Sequence, residues 1–113
     1  MRVLTSMAQS PRRWWVAADL PEKVIRQIKN ARLPVGGSHP FAPKLKTNPR
    51  GHLIIDKKAP SQGPKAGEIG FVDDQGRIWI RDLAHAGLPE HWDVQIDDGA
   101  DYIRIGYDGE EIT

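Results

Sequence analysis

The stretch 91-HWDVQIDDGADYIRI-105 decides the fold. In a strand, successive side chains point to opposite faces. His91, Asp93 and Gln95 then line one face, and Trp92, Val94 and Ile96 the other. Residues 101–105 repeat the split, with Tyr102 and Arg104 on one side and Ile103 and Ile105 on the other. Between them, Asp97-Asp98-Gly99-Ala100 has a turn composition. The run is predicted to fold as a hairpin; turn length fixes its register only loosely, and the register that sets Asp93 opposite Arg104 leaves Gln95 opposite Tyr102. Its aliphatic–aromatic face can be core. Its other face carries more acid–base and hydrogen-bonding groups than a solvated sheet requires, which makes it a candidate active surface.

Working upstream, Glu68–Val72 and Arg77–Asp82 read as two strands joined by the turn Asp73-Asp74-Gln75-Gly76. Residues 83–90 connect them to the His91 strand. His52–Lys57 (HLIIDK) reads as an earlier strand. It is flanked by two basic loops rich in Pro and Gly, residues 34–51 and 58–67, and long loops inside compact domains tend to be functional. Asp19–Leu33 reads as a helix. Asp19 can cap it, Pro21 falls in the first turn, and Glu22 stands three residues after Asp19, as in a capping box. Leu20, Val24, Ile25, Ile28 and Ala31 form its apolar stripe. The paired Trp14 and Trp15 read as core or cover. The layout is a helical N-terminal part followed by about four or five antiparallel strands, an α+β domain.

The chain has 113 residues, one domain's worth. Residues 1–50 are read as the helical, basic part and residues 51–113 as the antiparallel sheet. No run of ~18 apolar residues offers a transmembrane helix, and residues 1–10 are too polar for a secretory signal. The opening Met1 suggests a separately expressed chain. The absence of cysteine excludes disulfides and thiolate metal sites. The net charge of +1 conceals an asymmetry. Lys and Arg outnumber Asp and Glu 13 to 3 over residues 1–65, about +10, and are outnumbered 12 to 3 over residues 66–113, about −9. Such asymmetry points to an anionic partner for the basic half.

The candidate chemistry follows from these groups. Among the histidines, His85 lies in a small-residue turn (Ala84-His85-Ala86-Gly87) and His91 heads the polar strand face. Metal-independent RNA cleavage needs a base for the ribose 2′-hydroxyl, an acid for the leaving 5′-oxygen, and cations at the phosphoryl oxygens. Histidine suits the first two tasks near neutral pH, and Arg and Lys the third. His91 or His85 is therefore expected to be the acid or base. Lys57, Lys58 and Arg104 would handle phosphate, and Asp93 and Gln95 would orient these groups. Lys44, Lys46, Arg50, His52, Lys58 and Lys65 would bind the RNA backbone, with Tyr102 or Trp79 stacking on an unpaired base. His85, His91 and Asp93 are also ligand types that zinc or manganese accepts, though their spacing matches no metal signature, and no metal or other cofactor is expected. There is no Walker-type glycine loop, no G-x-S-x-G elbow and no catalytic cysteine.

The string GHLIIDKK (51–58), D-x-x-G-R-I-W (73–79), HWDVQ (91–95) and Y-I-R-I-x-x-D-G (102–109) resembles the C-terminal toxin domains of bacterial polymorphic toxin systems. Trp92-Asp93-x-Gln95, followed by Tyr102 and Asp108-Gly109, resembles the end of the colicin-type tRNA ribonucleases. Both are grouped in the barnase–EndoU–colicin–RelE superfamily. The resemblance spans roughly residues 50–110. It implies N-terminal helices on a curved antiparallel sheet, metal-independent cleavage of RNA, most plausibly tRNA, and a cognate immunity protein that masks the site. It also implies a secreted or delivered effector acting in the cytoplasm of a target cell. By position, His91, Asp93 and Gln95 match the family's terminal motif, and Asp56, Lys57 and Lys58 its earlier D-K-K. Glycines often precede the H-W-D motif in related domains; here Leu88-Pro89-Glu90 intervenes. Two other readings stand beside this one. The first is a non-catalytic binding module, such as an immunity protein, an antitoxin or an RNA-binding adaptor. The second is a metal-dependent nuclease.

Overall fold

The computed structural model describes residues 20–83 and 87–112. Trp14, Trp15, Asp19 and His85 lie outside them. The described residues form a mixed α+β fold with one helix among them, α1 (Glu22–Asn30), and two open antiparallel sheets. The smaller sheet pairs β1 (Leu45–Thr47) with β2 (Leu53–Ile55). The larger has the order β3-β4-β5-β6-β7, formed by Lys57–Lys58, Gly70–Val72, Ile78–Asp82, His91–Ile96 and Asp101–Ile105.

This differs from the expected arrangement of N-terminal helices on one curved sheet. HLIIDK does not run as a single strand, because Asp56 divides it. The Asp56 N–H donates to the Lys44 carbonyl at 2.9 Å or less (2.8 Å), on the side of the small sheet, while its own carbonyl accepts from Val72 N–H at 2.9 Å, on the side of β4. One peptide thus hands the chain from one sheet to the other. The helix is also shorter than expected. It starts at Pro21, which supplies no side-chain cap. It ends where Arg32 takes a left-handed conformation (φ 62°). Among the strands, α1 lies closest to β2 of the small sheet. Its terminal carbonyls, which have no partner within the helix, accept from the large sheet instead: Arg81 Nη2 donates to Ala31 O (2.7 Å) and Trp92 Nε1 to Arg32 O (3.1 Å).

The 91–105 hairpin pairs in the expected register, Asp93 opposite Arg104 and Gln95 opposite Tyr102. Its apolar side joins Trp92, Val94 and Ile105 to Val24, Ile28, Leu33, Phe41, Ile55 and Trp79 in the main core. Edge-on ring contacts run through it from Phe41 to Trp79, Trp92 and Tyr107 at 5.3–6.4 Å between centroids. Trp79 is therefore a core residue, and its expected role of stacking on a base does not fit its burial. The turn at 73–76 is organised by the buried Asp73 carboxylate. It accepts from the Gln75 and Arg77 N–H groups, from Arg77 Nε and from Trp79 Nε1.

The opposite sheet face is covered too. Val72, Ile78 and Ile80 form a second apolar cluster there, beside the polar side chains of β6. The loop after β3 is fastened over this face at the β6–β7 turn. Ser61 donates through its N–H and its hydroxyl to the Asp98 carboxylate. Gly63 and Gly99 lie backbone to backbone at positive φ (83° and 100°), and a Cβ on Gly99 would collide with the Gln62 carbonyl. Among the described residues, no helix is long and apolar enough to cross a membrane.

Candidate functional site

β5 and β6 place Asp82 opposite His91 and Ile80 opposite Asp93, so strand alternation brings Asp82, His91, Asp93 and Gln95 to one face. β7 adds Arg104 and Tyr102 beside them, and the fastened loop brings Lys65 over the top. The result is a cleft of about 180 Å³ lined by Pro64, Lys65, Asp82, Asp93, Gln95, Tyr102 and Arg104. The face expected as an open active surface is instead largely buried. Asp93 is 5% exposed, Gln95 1% and His91 0%.

Within the cleft, Lys65 Nζ stands 3.7 Å from a carboxylate oxygen of Asp82 and 3.7 Å from one of Asp93. His91 Nε2 lies 3.2 Å from Asp93 Oδ1 and 3.5 Å from Asp82 Oδ2. Its Nδ1 lies 2.8 Å from the Pro89 carbonyl. A carbonyl only accepts, so Nδ1 carries a proton and donates it there. Burial, followed by a hydrogen bond with the Asp82 carboxyl, pushes the Asp93 carboxyl above its ordinary value; the charges of His91 and Lys65 act against that rise. The Arg104 guanidinium lies over the Tyr102 ring, 5.7 Å from its centroid. Asp93 therefore pairs with His91 and Lys65, and its cross-strand neighbour Arg104 stacks.

Comparison of the chain with family models, curated proteins and solved structures finds no match. The site is thus read from its own geometry.

The fold brings Asp93, Gln95, Arg104, Tyr102 and Lys65 together, with His91 beneath the cleft floor rather than among its lining residues. The other expected residues that the structure describes do not line the cleft. Lys44 and Lys46 pair with Asp56 at 3.7 and 3.5 Å. Arg50 and His52 sit in a turn in which both their N–H groups donate to Asn48 Oδ1. Lys57 and Lys58 point to opposite faces. Lys57, opposite Phe71, holds its Nζ 5.3 Å from that ring's centroid on the core side, and Lys58, opposite Gly70, is on the cleft side. Asp82 was not among the expected site residues. Alternation through Ile78, Ile80 and Asp82 was the available signal, but its meeting with His91 depends on the β5–β6 register.

Proposed function

We propose that the chain is an endoribonuclease that cuts RNA at this cleft without a metal. One observation carries the reading: two neighbouring carboxyl groups, one of them held above its ordinary pKa, face the cations of Lys65 and Arg104 in a partly enclosed cleft. Paired carboxyls in unequal environments are suited to opposite proton-transfer roles. The more exposed Asp82 takes the proton of a ribose 2′-hydroxyl. The 2′-oxygen bonds to phosphorus, the bond to the 5′-oxygen breaks, and Asp93 gives its proton to that oxygen. The products are a 2′,3′-cyclic phosphate and a 5′-hydroxyl. Lys65 and Arg104 offset the charge that builds on the phosphoryl oxygens. His91 positions Asp93, because its Nδ1–H is anchored on Pro89. The toxin-domain resemblance adds tRNA as the substrate, a masking immunity protein as the partner, and delivery into a target cell.

A metal-dependent reading has its own support. One ligand atom each from Asp82, His91 and Asp93 lies within 4.8 Å of the others. A ligating histidine usually donates its second ring N–H to a carbonyl or carboxylate, as His91 does to Pro89. Against this, the Lys65 ammonium already bridges the two carboxylates.

The deciding experiment incubates the chain with total RNA and with a tRNA pool, with and without chelator, and maps the ends. Cleavage that persists in chelator and leaves cyclic phosphates is expected. Loss of cleavage in chelator moves the metal-dependent reading ahead. RNA that is bound but intact in both arms makes the chain a binding module.

A further inference from the structure

Gln95 is buried on the cleft side of β6, and among the described residues its Oε1 has no hydrogen-bond partner. Folded proteins hold few such atoms, because a buried acceptor without a donor is destabilising. The other end of the amide fixes its orientation. Nε2 donates to the Asp93 carbonyl at 3.4 Å, and turning the amide over would set Oε1 against that oxygen. Gln95 lines the cleft and therefore carries, at its buried edge, an acceptor that the described residues leave unfilled.

Its surroundings describe the missing donor. Tyr102 stands directly opposite Gln95 and is 37% exposed, with the Arg104 guanidinium over its ring. Unpaired bases stack on such aromatic and guanidinium planes. A cavity of roughly 150 Å³ accommodates benzene, so a cleft of about 180 Å³ has room for a six-membered ring. Gln95 is two residues along the strand from Asp93, roughly 6.8 Å. A base can occupy one end while its phosphate lies at the Lys65–Asp82–Asp93 end.

We propose that the Gln95–Tyr102 end of the cleft is a nucleobase subsite that reads cytosine, whose exocyclic amino group donates to Gln95 Oε1. This assignment deepens the cleavage reading and rests on it. Uracil carries a carbonyl where cytosine carries the amino group, and would set acceptor against acceptor. Adenine has an amino group but a larger ring system.

The test is calorimetric binding of 3′-CMP, 3′-UMP, 3′-AMP and the 3′-phosphate of 2-pyrimidinone riboside, which lacks the amino group. Each is titrated into the wild-type chain and into Gln95→Met, a swap of similar volume without the amide. The expected result is 3′-CMP bound about tenfold or more tightly than either 3′-UMP or the pyrimidinone nucleotide, with that advantage lost in Gln95→Met. Equal binding of 3′-CMP and 3′-UMP, tighter binding of 3′-AMP, no binding of any nucleotide, or a preference that survives in Gln95→Met overturns the proposal. Should Gln95→Met fail to fold, the pyrimidinone comparison on the wild type decides. These monophosphates are not cleavage substrates, so the two readings fail separately. RNA cutting without base preference removes only the subsite. A cytosine preference in a chain that cuts no RNA removes only the nuclease.

Discussion

Asp93 carries a carboxyl whose pKa the fold raises, chiefly through burial and then through its hydrogen bond with Asp82. Two outcomes follow for Asp93→Asn, which keeps the shape and removes the acid. Cleavage should fall about 10²–10⁴-fold, the usual loss for a general acid or base, while the melting transition stays cooperative. The second outcome concerns pH. A carboxyl raised above its ordinary 3.8 in the fold stabilises the protein most below that value, and the contribution declines as pH rises through the folded pKa. The urea midpoint of the wild type should therefore drop over that window more steeply than that of Asp93→Asn. Parallel midpoints would show that the fold does not raise the Asp93 pKa. At this scale the sequence was readable for Asp93 and Gln95, because period-2 alternation assigns a face without any knowledge of neighbours. It was not readable for Asp82, whose partner is chosen by the pairing of β5 with β6. Nor did alternation reveal that His91 is fully buried, since burial depends on which segments of the chain pack around it.

β6 is the element on which both sides of the molecule depend. It lies between β5 and β7, so its backbone is bonded on both edges, and each of its faces is covered. Trp92 is 1% exposed. It packs against Trp79, Phe71 and Tyr107, takes the Arg81 guanidinium over its ring and donates to the end of α1. Trp92→Ala should cost roughly 3–5 kcal/mol, a large part of the 5–15 kcal/mol typical of a domain. Denaturant unfolding checks this, and an unchanged midpoint would mean that the core does not depend on this ring. β6 and β7 were legible because their alternation is unbroken over six and five residues. HLIIDK also read as one strand, but its division at Asp56 comes from two hydrogen-bond partners remote in sequence, Lys44 and Val72.

Across the whole molecule, the basic half and the acidic half do not form two separate surfaces. Lys65 inserts between Asp82 and Asp93, and Lys44 and Lys46 share Asp56 within their own half. Of the residues expected to bind the RNA backbone, Lys65 lines the cleft. On the proposed function, the placement of the others decides how RNA binding should respond to salt. Each single-strand phosphate contact contributes about −0.7 to the log–log slope. Lys58 shares the cleft face, so Lys58→Ala should flatten the slope by about 0.7. Lys57 sits over Phe71 on the core side, so Lys57→Ala should leave the slope unchanged. Binding isotherms across a salt series check both. A flattening of about 1.4 in the double variant, shared equally by the single variants, would restore one continuous track across the edge of the sheet.

What the sequence determined by itself was local. The two-residue period of residues 91–105, with the turn composition between its runs, specified a hairpin and its apolar face, while its cross-strand pairs were set by the turn the chain actually makes. The Asp-Asp-Gln-Gly run specified a turn, and the apolar spacing at Val24 and Ile28 specified a helix. These properties follow from backbone geometry and side-chain direction within a few residues of each other. What only the tertiary structure decided was contact between segments distant in the chain. It set the division of the strands into two sheets, the meeting of Asp82 with His91 and the closing of the Lys65 loop over the polar face. That last contact turned a polar strand face into a cleft. The reason is that hydrogen-bonding partners and solvent access depend on the whole path of the chain, and residue order alone does not encode which distant backbone will arrive at a given edge.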